Sequence, residues 1–362
     1  MYRPTADSIW NSFRSSGKCH LILTGGRGSG KTTLLKQLFP DVIPGLTTWA
    51  KPKQAVYLQD NLSGETVLAG VFDEKLPGPG NQMVLVQDAF TSVGVPVLER
   101  CMESDSPWIA IDEIGYLEAQ CVPYHEALHK LLEKKQTAMA VRKQDLPFLN
   151  ELCGREDVFL VDLDDPFGNI GCVIMASGLG KRFGGNKLMA DFHGQPMICR
   201  ILDATEGLFS NRIVVTRHES VANLCASRDI PVILHDLPHR SDTVRLGLEV
   251  MADTDHCMFC PGDLPLLTKN TMASLLLCAQ NKSDSIWRTC CNNTPGSPVL
   301  FPHWTFPELR SLPEGKGGSW VIKNHPDKTD MLHISESWEL MDVDTQETLE
   351  LLKRKQSLRS MQ

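Results

Sequence analysis

A chain of 362 residues is too long for one typical hydrophobic core and predicts two domains. Its 42% hydrophobic and 22% charged residues argue against disorder, and a formal net charge of -8 argues against a broad nucleic-acid-binding face while leaving room for local basic pockets that take small anions. No apolar run approaches the ~18–20 residues of a membrane helix, the opening MYRPTADSIWNSFRSSGK has no continuous apolar signal core, and the twelve cysteines then read as reduced thiols of a cytoplasmic protein.

In chain order, the first strong signal is the apolar strand His20 to Thr24, which runs into Gly25-Gly26-Arg27-Gly28-Ser29-Gly30-Lys31-Thr32 and then the helix-like TLLKQLF. Strand, glycine loop and helix in this order make a P-loop. Backbone N–H groups wrap a β-phosphate, Lys31 reaches the β- and γ-phosphates, and the Thr32 hydroxyl ligates Mg²⁺. Gly25, Gly28, Ser29, Gly30 and Thr33 complete the expected nucleotide contacts. A second strand, Trp108 to Ile111, ends in Asp112-Glu113 and supplies the Walker B partner. Asp112 is placed to hold Mg²⁺ through water, and Glu113 to orient or deprotonate an attacking water.

Between these motifs Gly45 to Trp49 reads as a strand near the site, Tyr57 to Val71 as a hairpin turning at Asn61-Leu62-Ser63-Gly64, and Pro77-Gly78-Pro79-Gly80 as a loop. Tyr124 to Lys135 reads as an amphipathic helix, whose His125 and His129 share a face but lack the third ligand a metal needs. The Asp-Glu-Ile-Gly string, with the helix after it, resembles the small nucleoside-triphosphatase family of the thermostable NTPases. That resemblance implies an NTP, ATP or GTP, at the P-loop. Val158 to Val161 is a last strand, and Asp162 to Asn169 breaks all periodicity, so the expected domains are 1–167 and 168–362.

The second half opens on Cys172 to Ala176, a β-rich run feeding a loop with Gly178, Gly180, Gly184 and Gly185 among Lys181, Arg182 and Lys187. Glycines admit an anion to the backbone N–H groups and the cations offset its charge, although a flexible basic turn has the same composition. Strands near Arg212 to Thr216, Pro231 to His235 and His256 to Pro261 then alternate with helices near Met197 to Phe209, Ser220 to Arg228 and Asp242 to Met251. This is the βαβ rhythm of a mainly parallel sheet, with ligands at the carboxyl ends of its strands. Asp263 stands at one such end. Cys257 and Cys260 form a C-x-x-C inside a buried strand pattern, without a second pair to make a metal site.

The string A-S-G-x-G-x-R-x-G-x-N-K from Ala176 to Lys187 resembles the signature loop of the MobA-like nucleotidyltransferases, and its Asn186-Lys187-Leu188 ending is most similar to the molybdenum cofactor cytidylyltransferases. Ser241 with Gly247-Leu248, Gly262-Asp263-Leu264-Pro265, Gly296-Ser297-Pro298-Val299 and Asp342-Val343-Asp344-Thr345 follow in the family's order. The run Glu314 to Gly318 lacks the usual Gly-Asp pair, and Leu264 stands where Met or Gln is common. The resemblance implies a Rossmann-like domain that moves CMP from CTP to a phosphate-bearing, molybdopterin-type acceptor, with a molybdoenzyme client as a further implied partner. Ala176, Ser177, Gly178, Gly180, Lys181 and Ser241 are then nucleotide contacts, Arg182 and Lys187 catalytic cations, and Asp263 and Asp344 Mg²⁺ ligands. The family's guanylyl branch carries two adjacent glycines where this chain has Ser177-Gly178, so a side chain at 177 favours a pyrimidine. His235, His239 and Arg240 near the Ser241 helix start are further candidates to meet an anionic acceptor. Sugar-1-phosphate nucleotidyl transfer and nucleotide-gated cofactor delivery are the rival readings.

Overall fold

A computed structural model describes residues 2–76 and 82–359 and divides the chain into two compact units. The loop expected at Pro77 to Gly80 lies outside the described residues. The first unit is Ser16–Pro166, and the second comprises the chain up to Ser15 together with everything from Phe167 on. The expected extents therefore change at the N-terminus. The helix Ala6–Ser16 buries Ser8, Ile9, Ser12 and Phe13, its Ser12 hydroxyl donates to the Ser274 carbonyl at 2.9 Å, and Tyr2 donates from its phenol to Asn270 at 2.7 Å. An amphipathic helix fits any apolar groove of the right shape, and nothing in its own pattern says which core it joins.

In the first unit the strands are β1 (His20–Gly25), β2 (Gly45–Lys51), β3 (Ala55–Asp60), β4 (Thr66–Phe72), β5 (Met83–Leu85), β6 (Trp108–Ile114), β7 (Gln136–Arg142) and β8 (Val158–Asp162). Among the described residues they form a sheet in the order β5-β4-β3-β2-β6-β7-β1-β8. Strands β2, β6, β7, β1 and β8 are parallel, while β2 to β5 pair antiparallel and make the hairpin expected around residues 61–64. Every residue of β1 is buried, as a central parallel strand covered on both faces requires. The α-helix Val122–Lys134 packs Tyr124, Ala127, Leu128, Leu131 and Leu132 into this core. Gly45 can only be glycine at its place: a Cβ there would lie 1.8 Å from the Ala110 carbonyl oxygen.

The second unit contains β9 (Ile170–Ala176), β10 (Asp191–Phe192), β11 (Gln195–Pro196), β12 (Asn211–Thr216), β13 (Val232–Leu234), β14 (His256–Pro261), β15 (Ile286–Cys291), β16 (Thr294–Pro302) and β17 (Thr329–His333). β10 and β11 pair with each other, and the rest form a sheet in the order β13-β12-β9-β14-β16-β15-β17. β9 pairs parallel with β12 on one side and with β14 on the other, so the chain reverses direction across the sheet at β9. Such a switch point opens a crevice at the strands' carboxyl ends, where the loops after β9 and β14 meet. The long β16 runs antiparallel between β14 and β15, a departure from the all-parallel rhythm upstream. All twelve cysteines are free, and burial drives the Cys257 and Cys260 thiols well above their ordinary range, as inert core thiols. Among the described residues no helix is long and apolar enough to cross a membrane.

Candidate active sites

The phosphate loop of the first unit leaves β1 at Gly25 and closes on the α-helix Lys31–Leu38, with Gly25, Gly28 and Gly30 at positive φ. Ser29, Thr32 and Thr33 complete the loop and the first helical turn. The buried Lys31 ammonium donates to the Gly25 and Gly26 carbonyls at 2.7 and 3.1 Å, which folds it back along the loop. Thr32 Oγ1 donates to Asp112 Oδ1 at 2.9 Å, so the hydroxyl and carboxylate expected to share a cation are brought together from β6 and the helix. Burial pushes the Asp112 carboxyl above its ordinary value, with the Thr32 hydrogen bond pulling the other way. Two oxygen donors of this kind fit a hard divalent ion that keeps much of its water.

Beside the loop is a cavity of about 650 Å³, lined by Gly25, Gly26, Lys31, Trp49, Glu113 and Arg142 among others. Glu113 sits at φ 73°, a left-handed conformation rare for a side-chain-bearing residue, and pairs with the Arg142 guanidinium. Three neighbouring groups, of which Glu118 and Arg142 line the cavity and Asp164 braces the loop, carry no signal in the sequence. Asp164 accepts from the Gly26 N–H at 2.9 Å. Glu118, which burial holds above its usual value, accepts from Thr48 and from the Gly115 N–H. Arg142 is 29 residues from Glu113, so only β6–β7 pairing unites them. His125 stacks on Phe148 at 3.6 Å and His129 faces Glu151 at 3.5 Å, so the pair is occupied within the fold.

In the second unit the loop after β9 turns back on itself at Gly180. With φ 58°, and with the position of an added Cβ only 2.2 Å from the Gly185 carbonyl oxygen, this residue sets the curl of the loop. Asn186 caps the short turn Lys187–Met189, accepting from the Leu188 N–H, and so aims Lys187 inward. The Lys187 ammonium then lies 2.6 Å from Asp263 and 2.8 Å from Asp344, and Arg182 reaches Asp344 at 2.7 Å. Burial works against the Lys187 charge, but Asp263 and Asp344 outweigh it and hold the ammonium above its usual range. The hydrogen bond from Lys187 holds Asp344 below the usual carboxylate range.

Asp342 is the member that sequence reading passed over. Ligand oxygens of Asp263, Asp342 and Asp344 lie within 4.8 Å of one another, and burial, then the two neighbouring carboxylates, push Asp342 up. Three carboxylates without nitrogen or sulfur donors fit Mg²⁺ or a similar hard cation. The signal was the alternation Asp342-x-Asp344, which sets two carboxylates on one side of an extended segment. Among the described residues neither His125 with His129 nor Cys257 with Cys260 belongs to such a group.

A cavity of about 550 Å³ joins Arg182, Lys187, Asp263 and Asp344 to Ser177, Gly178, Gly180, Lys181, Arg217, His239, Arg240 and Thr243. Two expected contacts differ. Ala176 is buried as the last residue of β9, and Ser241 is buried with a hydroxyl that has no partner and does not line the cavity; Thr243 does. Ala176 is held within the sheet, and Ser241 shares the helix Arg240–Val250 with Arg240 and Thr243, which reach the cavity in its place. His235 does not reach the cavity wall either. Its Nε2 lies 2.9 Å from Ser177 Oγ, which also faces the Val215 carbonyl at 3.2 Å, and burial lowers the imidazole's affinity for a second proton. The atypical run Glu314 to Gly318 lies against the same rim, with Glu314 at 3.6 Å from His239 and Gly317 packed under Arg240.

Residues 172–329 match the family model described as the MobA-like NTP transferase domain, and residues 51–166 the model described as NTPase. The nucleoside-triphosphatase THEP1 of Thermotoga maritima is 29% identical over 154 residues, 40% of this chain and 86% of the relative. The 3-deoxy-manno-octulosonate cytidylyltransferase of Francisella tularensis is 29% identical over 111 residues, 29% of this chain and 44% of the relative. A probable molybdenum cofactor guanylyltransferase of Aquifex aeolicus is 26% identical over 106 residues, 29% of this chain and 51% of the relative. The chain thus spans about half the length of these transferase relatives or less.

Proposed function

We propose that this chain, which joins an NTPase domain to a MobA-like nucleotidyltransferase domain, moves CMP from CTP to a phosphate-bearing acceptor of the molybdopterin type and hydrolyses an NTP at its P-loop. The observation that carries the transfer reading is the meeting of Lys187, Arg182, Asp263 and Asp344 in the wall of a glycine-lined cavity, with Asp342 grouped beside the two carboxylates. An acceptor phosphate is anionic at neutral pH and attacks the α-phosphorus in line without a general base, as pyrophosphate leaves. The side chains' task is then to position the triphosphate and neutralise its charge, which suits Lys187, Arg182 and Lys181. Asp263, Asp342 and Asp344 would hold Mg²⁺, which supplies charge neutralisation at the phosphate oxygens when bound. In the first domain Thr32 and Asp112 would hold a second Mg²⁺, and Glu113 activates the water.

A sugar-acid acceptor is the second reading, favoured by the name of the octulosonate cytidylyltransferase relative. Incubating the protein with CTP, Mg²⁺ and either molybdopterin or 3-deoxy-manno-octulosonate, and weighing the products, separates the two. Absence of pyrophosphate with both acceptors would leave nucleotide-gated delivery as the better account.

The base preference rests on Ser177, whose hydroxyl is tied down by His235 and Val215 and so keeps its side chain at the cavity wall. A change of this size is worth ~1–3 kcal/mol, so kcat/KM is expected to favour CTP over GTP by roughly tenfold to a hundredfold, narrowing in Ser177→Gly. Equal values for the two nucleotides in the native protein overturn the cytidylyl assignment and leave transfer standing.

Gly180→Ala tests the loop itself. Left-handed strain of about 1–3 kcal/mol, added to the clash with Gly185, should weaken CTP binding on the order of tenfold in titration calorimetry. Hydrolysis at the P-loop should not change. Unaltered CTP affinity would mean that the curl of this loop does not form the nucleotide site.

A further inference from the structure

The string Asp112-Glu113-Ile114-Gly115-Tyr116 makes a strand end with an unusual course. Along β6 and β7, Ile111 pairs with Met139 but Ile114 pairs with Val141, so β6 carries one extra residue at Asp112 and Glu113. A bulge of this kind re-aims side chains that strict alternation would send to opposite faces. Glu113 takes up the irregularity at φ 73°. Its carboxylate is thereby turned to Arg142, the last residue of β7, and the two are ion-paired.

Arg142 is prepared for this contact on three sides. It pairs in register with Gly25, which opens the phosphate loop. Its stem crosses over Gly115, where a Cβ would stand 2.9 Å from Arg142 Cδ, and its guanidinium lies 5.9 Å from the centre of the Tyr116 ring. Tyr116 is itself anchored, its hydroxyl accepting from the Met83 N–H at 3.1 Å. Glu113, Gly115, Tyr116, Arg142 and Lys31 all line the one cavity. Holding a non-glycine residue in left-handed backbone costs about 1–3 kcal/mol, and such strain persists where the surroundings over-determine it.

We propose that Arg142 is the positioning residue of the NTPase, holding the Glu113 carboxylate toward the phosphate end of the cavity so that it can take a proton from the attacking water. This rests on the assignment of Glu113 to water activation. The proton passes from water to a Glu113 carboxylate oxygen as the water oxygen bonds to the γ-phosphorus and the bond from that phosphorus to the β–γ bridging oxygen breaks, so that the nucleoside diphosphate leaves with the bond's electron pair and inorganic phosphate is formed. Arg142 gains and loses no proton.

A double-mutant cycle on the full chain reads the coupling, with phosphate release giving kcat and KM, fluorescent-nucleotide titration giving binding, and circular dichroism reporting folding. Arg142→Ala should lower kcat by roughly 10- to 100-fold, as a displaced catalytic group does, with nucleotide binding held within about threefold. Arg142→Lys should recover part of the loss, and serves with Arg142→Gln if the alanine variant does not fold. Within Glu113→Gln, which should itself lose about 10²-fold, removing Arg142 should cost no more than about a further twofold, because the group it positions is already disabled. Undiminished kcat in folded Arg142 variants overturns the proposal. So do losses that multiply in the double variant, since Arg142 would then act on the phosphates directly. Full hydrolysis by Glu113→Gln alone would instead remove the water-activation reading on which the proposal stands.

Discussion

Lys31→Ala is expected to abolish NTP hydrolysis, by 10²-fold or more, while pyrophosphate release from CTP stays within about twofold of the native rate. The lysine is buried against its own loop, its ammonium held by the Gly25 and Gly26 carbonyls at 2.7 and 3.1 Å. An alanine leaves the loop without the cation that answers the β- and γ-phosphates, and no other side chain at that helix start replaces its reach. The glycine loop after β9 has its own cations, Lys181, Arg182 and Lys187, in a different unit. Parallel assays for phosphate and pyrophosphate on one preparation decide the matter. Equal loss of both activities in a folded variant would sink the two-site reading.

Asp263→Asn is expected to depress Mg²⁺-dependent transfer by about 10²-fold at low Mg²⁺, with partial recovery at high Mg²⁺, because an amide keeps the carboxylate's shape and loses its charge. Two consequences add in this site. The cation loses a ligand, and Lys187 loses the nearer of its two direct ion-pair partners, Asp263 at 2.6 Å, keeping Asp344 at 2.8 Å. Asp344→Asn should do the same to a smaller degree, since its side chain is 37% exposed against 20% for Asp263, and water screens the more exposed charge better. A Mg²⁺ titration of transfer rate in each variant is the measurement. Native activity at low Mg²⁺ in either one removes that residue from the site.

The two glycine loops and the Asp112-Glu113 strand end were legible as local structure because each is written in consecutive residues. A strand, a glycine run and a helix start form one local unit, so His20 to Thr32 and Cys172 to Lys187 carry their geometry with them. The βαβ rhythm of the second half was legible for the same reason: period and punctuation are local signals, and the helices Glu219–Ser227 and Arg240–Val250 stand where that rhythm put them. Tertiary structure alone decided what depends on pairing between distant segments. It placed Arg142 beside Glu113 through a bulged β6–β7 ladder. It set Asp342 with Asp263, and drew Ser241 beneath a cavity that Thr243 lines instead. It also assigned the N-terminal helix, up to Ser15, to the unit that resumes only at Phe167. Sequence fixes which face of such a helix is apolar, because that follows from its own periodicity; which core covers that face follows from the shapes of both partners, and those exist only once the chain has folded.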